Sequence, residues 1–134
     1  MRRLAFAVFG GVLLIACGCR RPSDSSDRAP EVSLRWTAEP EPPTTGLVTL
    51  SLELAEGQRP VERAEVRLEG TMTHPGMAPV SATAGEISPG RYDARMDLSM
   101  AGDWVILVDA RLRDGRTLHR PLELPGVRPT AEPD

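Results

Sequence analysis

Apolar and polar residues alternate along most of the chain between residues 32 and 124, with the period of two that a half-buried β-strand requires. The alternating segments are short, and glycine, proline or charged residues separate them. They predict seven strands, at residues 32–36, 47–54, 64–69, 80–87, 91–98, 104–108 and 118–124. No segment shows a convincing helical period. We therefore predict an all-β fold, an immunoglobulin-like sandwich of two sheets with about seven strands.

Turn and edge signals refine this arrangement. Residues 57–60 predict a turn, and Asp114-Gly115 is the strongest hairpin signal in the chain, joining the last two strands. Trp104 to Val108 is the most apolar segment of the domain and predicts a central strand. Pro121 lacks a backbone donor, so the last strand is expected at a sheet edge or at a bulge.

The amino terminus has the pattern of an export signal. Arg2 and Arg3 precede an uncharged apolar run from Leu4 to Ala16. The run is shorter than the roughly 20 apolar residues of a membrane-spanning helix, and it fits the hydrophobic region of a secretory signal. It ends in Leu14-Ile15-Ala16-Cys17, which resembles the lipobox of bacterial lipoproteins.

The lipobox resemblance implies removal of residues 1–16, lipidation of Cys17 and attachment to a lipid bilayer through its acyl chains. The alternatives are an ordinary signal with chance cysteines, or lipidation of Cys19, which is a poorer match and otherwise a spare thiol in the tether. The implied location is the cell envelope, lipid-anchored and facing the periplasm. Gly18 is not an aspartate, which by resemblance to enterobacterial sorting favours the outer over the inner membrane.

Composition sets the limits of the folded part. Residues 17–30 are polar and charged, as expected of a disordered tether, and residues 125–134 hold three prolines and predict a disordered tail. One domain is therefore expected at residues 31–124. Loss of residues 1–16 removes two of 16 basic residues, leaving 14 against 19 acidic ones, a net charge of −5. With no basic stripe, nucleic acid is not an expected partner.

Chemically distinctive side chains gather after the third strand, in Thr71-Met72-Thr73-His74-Pro75-Gly76-Met77. Thioethers and an imidazole are soft ligands that suit Cu(I). Pro75-Gly76 predicts a sharp bend that returns Met77 towards His74. In a sandwich the turn that follows Met100 can meet this loop at the same end, so Met72, His74, Met77 and Met100 are the candidate metal ligands.

A plainer interpretation of the same residues is structural. Methionine usually fills irregular gaps in a core, and the alternation places Met96 inward with Tyr92. His119 lies beside Arg120 on a strand and is interpreted as a surface residue. The sequence contains no phosphate-binding loop, nucleophile elbow or His-Glu-x-x-His zinc motif, so no enzymatic activity is predicted.

Two segments resemble the YtkA-like domain, which is related to FixH-like proteins. The first is Leu68-x-x-Thr71-Met72-x-His74-Pro75-Gly76-Met77. The second is Gly90-x-Tyr92-x-Ala94-x-Met96-x-Leu98-x-Met100-Ala101-Gly102-Asp103-Trp104. The resemblance spans about residues 32–124.

The resemblance implies a small exported β-sandwich with copper handled through the Met/His loop, and a protein partner in a respiratory or copper-handling complex. Two departures stand out. Loops of the family often hold more methionine and histidine, and FixH-like proteins carry a true membrane helix where this chain has a lipid signal. The alternative function is a non-metal binding module that docks on a membrane-protein complex of the envelope.

Overall fold

The computed structural model describes residues 31–74 and 76–131, and this part of the chain is built from strands without a helix. The predicted all-β fold is therefore confirmed. No helix long and apolar enough to cross a membrane occurs in these two ranges. The strands are β1 (Val32–Glu39), β2 (Gly46–Glu56), β3 (Arg59–Pro60), β4 (Glu65–Met72), β5 (Val80–Ser88), β6 (Arg91–Leu98), β7 (Gly102–Arg111) and β8 (Thr117–Val127).

The strands form the two sheets of the sandwich, which share one strand. Their order is β1-β2-β6-β5-β4-β7-β8, with β3 paired to β2, and all the strand pairs are antiparallel. The first part of β5, from Val80 to Ala84, pairs with β4, whereas Gly85 to Ser88 pairs with β6. A bulge between Glu86 and Ser88 lies in the second part. Because β5 pairs with strands of both sheets, the sandwich is nearly closed, and β1 and β8 are its two edge strands.

The core follows the alternation that the sequence displays. Residues of β2, β4, β6 and β7 alternate between fully buried and exposed positions. The largest fully buried side chains are Trp104, Tyr92, Leu50, Leu52, Leu54, Leu68, Met96, Leu98 and Ile106. The prediction that Trp104 to Val108 is a central strand is confirmed, because β7 lies between β4 and β8.

Several strands are longer than predicted, and three of the differences change the interpretation of the domain. Arg59 and Pro60 pair with β2 as a short strand, so the turn expected at residues 57–60 is shorter. Met72 is the last residue of β4 and not part of the following loop. β8 continues to Val127, whose side chain is buried. The domain boundary predicted at residue 124 is therefore three residues too early, and residues 125–127 belong to the strand and not to a tail. Pro125 is compatible with this strand because β8 lies at an edge.

The sandwich has two distinct ends. We call the first the methionine end; it holds the segments 40–45, 73–74, 76–79, 99–101 and 128–131. There Thr45 N–H donates a hydrogen bond of 2.8 Å to the carbonyl oxygen of Arg128. The second, the hairpin end, holds the β7–β8 hairpin, whose Arg116 forms an ion pair with Glu56 at 2.7 Å. The chain enters β1 at the hairpin end, because Val32 pairs with Glu56.

Candidate metal centre

Met72 and Trp104 face each other across β4 and β7 at the methionine end. They are register partners in the antiparallel ladder, and directly opposed residues of such a ladder lie about 4.5–5.5 Å apart at Cα. Met72 is 9% exposed, and a Cβ placed on Gly102 would lie 2.8 Å from its Cε atom. The methyl group of Met72 therefore covers the start of β7, where the absence of a side chain makes room for it.

The turn after β6 is fixed to the same place by Trp104. The indole Nε1–H donates a hydrogen bond of 3.0 Å to the carbonyl oxygen of Met100. The Trp104 side chain is 1% exposed, whereas that of Met100 is 47% exposed. A buried side chain thus holds the backbone of Met100, an exposed residue, beside the end of β4. The prediction that this turn and the loop after β4 meet at one end is confirmed.

Met96 belongs to the core below this surface. It is 1% exposed, and a Cβ on Gly70 would meet its Cε atom at 2.9 Å and Cε3 of Trp104 at 3.5 Å. The prediction that Met96 is a core residue is confirmed. Met72 and Met96 are therefore buried at this end, whereas the exposed Met100 is joined to Trp104 through its backbone carbonyl.

The remaining candidates lie in the β4–β5 loop. His74 is exposed and follows Met72 by two residues, which limits the distance between their Cα atoms to about 7 Å. Gly76 has a φ of 103°, a left-handed conformation that suits the bend expected there. Met77 is half-buried and packs against the core. The loop therefore offers one solvent-exposed imidazole and one partly covered thioether.

The donor set at this end is soft. Among residues 31–74 and 76–131, no three His, Cys, Asp or Glu side chains come together in a way that would hold a metal ion. The carboxylate of Asp103, three residues after Met100, is already occupied. It accepts a hydrogen bond of 2.8 Å from the backbone N–H of Gly126 and so secures β8. Thioethers and imidazole are ligands for Cu(I), whereas Mg²⁺ and Ca²⁺ require oxygen.

An exposed apolar side chain at the methionine end was not singled out by the sequence. Leu47, at the start of β2, is 62% exposed and pairs with Asp97 near the end of β6. It shares this end with Met100, which is 47% exposed. Alternation alone places Leu47 on the outer face of its strand, and this was the signal available in the sequence.

Two other sequence predictions concern residues that are not among the candidate metal ligands. His119 is exposed on β8, and its Nδ1 contacts the carboxylate of Asp109 on β7, so its prediction as a surface residue is confirmed. Cys17, the predicted lipidation site, and Cys19 lie outside the described residues. Pro75 does as well.

Comparison with known proteins identifies one family. A family model of the YtkA-like domain matches residues 31–109. Among solved structures, the chain is similar to the crystal structure of the PmoD soluble domain from Methylocystis sp. ATCC 49242 (Rockwell), at 11% sequence identity and a TM-score of 0.46. That similarity covers 70% of this chain and 89% of the other. No curated protein sequence matches the chain.

Proposed function

Because the chain belongs to the YtkA-like family, we propose that it is an exported lipoprotein whose β-sandwich binds Cu(I) at the methionine end and passes it to a partner protein. One observation carries this proposal. The backbone of the exposed Met100 is held by Trp104 in the turn beside the end of β4, from which the loop with His74 and Met77 begins. We propose no catalytic activity.

The exposures of the candidates divide their roles. His74 and Met100 are exposed and Met77 is half-buried, so these three side chains are accessible to a metal ion from solvent. Met72 is buried against Gly102 and would form the floor of the site, with its sulfur the least accessible of the four. A site of two or three thioethers and one imidazole binds Cu(I) in a shallow position, which favours transfer to another protein.

A competition titration tests the copper proposal. The mature protein, purified anaerobically, is titrated with Cu(I) against a chromophoric chelator. We expect the wild type to retain one equivalent, and His74→Ala and Met100→Leu each to weaken retention about tenfold, which corresponds to about 1.4 kcal/mol. Met96→Leu is the matched control, since it removes a thioether from the core. Complete loss of Cu(I) from the wild type to the chelator would reject the proposal.

The lipid anchor is a separate part of the proposal and has its own test. In the native host, incorporation of radiolabelled palmitate and the mass of the amino-terminal peptide report lipidation. We expect Cys17→Ala to abolish the label and release the protein from membranes, with Cys19→Ala as the matched control that changes neither. Fractionation then tests the proposed outer-membrane location, for which the residue after Cys17 is Gly18. A label on Cys19 alone would contradict the assignment of Cys17.

The arrangement of the two ends is compatible with both parts of the proposal. The chain enters the domain at the hairpin end, and the methionines lie at the opposite end. Strands of eight residues separate the ends by about 25 Å. An anchor joined to the hairpin end would therefore leave the copper site facing away from the membrane, towards a partner in a respiratory or copper-handling complex.

The second candidate function is a non-metal module that docks on a membrane-protein complex of the envelope. It is favoured by the exposed Leu47 and Met100, which give the methionine end an apolar surface. In that case, Met77→Leu would leave metal retention unchanged and weaken co-purification with the complex. Cross-linking in intact cells, followed by Cu(I) titration of the same variants, separates the two functions.

A further inference from the structure

The edge strand β1 presents a row of backbone groups to solvent. Leu54 N–H of β2 donates to the carbonyl of Gly90, so the even-numbered residues of β2 direct their backbone groups towards β6. Successive residues of an antiparallel strand point to opposite sides, so the odd-numbered residues of β2 bond to the odd-numbered residues of β1. The even-numbered residues of β1 therefore point outward, and no described strand pairs with them. They are Val32, Leu34, Trp36 and Ala38.

The other edge strand, β8, is interrupted where β1 is continuous. Leu112 N–H donates to the carbonyl of Arg116 in the β7–β8 hairpin, so the even-numbered residues of β8 bond to β7 and the odd-numbered ones face outward. Pro121 occupies one of these outward positions and has no N–H to donate. Prolines and bulges are devices that block an edge against a further strand. β1 has neither along its eight residues.

The inner side chains of β1 are only partly covered. Leu34, Trp36 and Ala38 pack against the core but are half-buried. A cavity of about 430 Å³ lies between β1 and β8, with Leu34, Trp36 and Leu122 in its lining. A strand added outside β1 would therefore gain backbone partners and apolar contacts together.

The side chains of β1 complement those of the same strand running antiparallel. Arg35, Thr37 and Glu39 alternate on the outer face and are exposed. When Thr37 lies opposite Thr37 of a second copy, each Arg35 lies opposite the Glu39 of the other copy. Neither charged side chain forms an ion pair within the described residues. On the inner face the same register sets Trp36 against Ala38, a large side chain against a small one. Opposite charges directly across two strands stabilise their pairing.

We propose that the chain forms a homodimer in which β1 pairs antiparallel with β1 of a second copy. Trp36 and Ala38 of one copy then exchange backbone hydrogen bonds with Ala38 and Trp36 of the other, because these residues face outward. The contact is isologous, as in most homodimers. So short an edge buries less surface than a standard interface, and we expect a Kd of about 0.1 mM.

The dimer requires neither the lipid nor copper, so its test is independent of both. It is also compatible with the proposed anchor. The two copies run in opposite directions, and their Val32 residues would lie about 33 Å apart along the strands. Residues 17–30 span at most about 46 Å, so the lipids of both copies can enter one bilayer.

The test uses the mature unlipidated chain with Cys17→Ser and Cys19→Ser, so that no native thiol joins two copies. Sedimentation equilibrium measures association up to about 1 mM. We expect this parent chain to dimerise, and Arg35→Glu and Glu39→Arg each to weaken association about tenfold, because like charges then face each other twice. Mixing the two single variants restores opposite charges and should give a heterodimer as tight as the parent. A parent chain that stays monomeric, or variants that associate as it does, would overturn the proposal.

Matched controls locate the contact. Arg95→Glu changes an exposed arginine on β6, away from the edge of the same sheet, and should leave association unchanged. Thr37→Cys places two thiols within the Cα separation that a disulfide needs, so mild oxidation should cross-link the dimer. Ser33→Cys, on the same face of β1 but distant from the two-fold axis, should not cross-link. Equal cross-linking of both cysteine variants, or equal effects of Arg95→Glu and Arg35→Glu, would also overturn the proposal.

Discussion

The phenolic hydroxyl of Tyr92 donates a hydrogen bond of 2.7 Å to the carbonyl oxygen of Val61. The phenolic oxygen of Tyr92 also accepts a hydrogen bond of 3.0 Å from the backbone N–H of Ala64. Tyr92 lies on β6 with no exposed surface, and the two backbone groups belong to the connection between β3 and β4. The buried side chain of Tyr92 therefore fixes the connection between β3 and β4, which passes from one sheet to the other, to the core.

Tyr92→Phe should lower the free energy of unfolding by about 1–3 kcal/mol, because it leaves a carbonyl and an N–H group without a partner. Urea denaturation followed by tryptophan fluorescence measures the change. The control is Ser33→Ala, which removes an exposed hydrogen bond of 3.1 Å to Ala55 and should cost less than about 0.5 kcal/mol. Equal effects of the two substitutions would contradict this role for Tyr92.

The same hydroxyl makes stability depend on pH in the alkaline range. Burial raises the pKa of Tyr92 from 10.0 to about 12. A pKa that is higher in the folded state favours the neutral phenol there, so its stabilising effect is complete below pH 10 and is lost as pH rises towards 12. Because Tyr92 is the only tyrosine in the chain, phenolate absorbance titrates it alone. We expect a midpoint near 12 in buffer and near 10 in urea, and a flatter alkaline stability profile for Tyr92→Phe. A midpoint near 10 in buffer would disprove the burial effect.

Two glycines with similar backbone conformations should differ in their tolerance of a side chain. Gly57 has a φ of 63° with nothing within 4 Å of an added Cβ, whereas Gly90 has a φ of 75° and its Cβ would lie 2.8 Å from the carbonyl oxygen of Leu54. Gly57→Ala should cost about 1–2 kcal/mol for the left-handed conformation alone. Gly90→Ala should cost clearly more, because backbone atoms must also move. Thermal unfolding of both variants gives the comparison, and equal melting temperatures would show that the contact is relieved without cost.

Trp104 should affect Cu(I) retention without being a ligand. Trp104→Phe removes the indole N–H that holds the carbonyl of Met100, so the turn carrying that thioether loses its anchor. We expect a weaker retention of Cu(I), by about threefold to tenfold, together with a loss of about 1–3 kcal/mol of stability from the reduced packing. Leu54→Ala, a core truncation near the hairpin end, is the control for general destabilisation. Retention unchanged by Trp104→Phe would show that the turn needs no anchor.

The β7–β8 hairpin should lose stability in acid. The carboxylate of Asp114 accepts hydrogen bonds from the backbone N–H of Arg116 at 3.0 Å and from its Nε at 2.7 Å. These bonds hold the pKa of Asp114 below its ordinary value of 3.8. Their contribution is therefore present above pH 3.8 and is lost as pH falls below it. Asp114→Asn should flatten the acid limb of the stability profile measured by urea denaturation, and an unchanged limb would contradict the assignment.

Much of this fold follows from the period of two along the chain. The alternation of Leu50, Leu52 and Leu54, or of Tyr92, Ala94 and Met96, is a local property that a sequence displays directly. It located all seven predicted strands and the inward position of Met96. The short strand β3 was missed because two residues are too few to show a period. The extension of β8 past Pro125 was missed because proline usually ends a strand.

The sites depend on register, which a single sequence does not display. Met72 was predicted in the loop after the third strand, yet its pairing with Trp104 makes it the buried end of β4. The division of β5 between two neighbours places Gly85 beside Asp93, and nothing local to either residue indicates this. Proximity in sequence found His74 and Met77, whereas only the pairing across strands places Met72 beside Trp104.

The positions of the two chain ends decide how the protein can be handled in the laboratory. Arg128 N–H donates to the carbonyl of Pro43 at 2.9 Å, so the last described residues, 128–131, lie at the methionine end. Asp134 lies four positions after Thr130, within a reach of at most about 14 Å. A polyhistidine purification handle placed there would bring extra imidazoles next to the thioethers and create an artificial copper ligand. Fusion partners, fluorophores and surface attachments are therefore best placed before Glu31, at the hairpin end, where they leave the methionine end unobstructed.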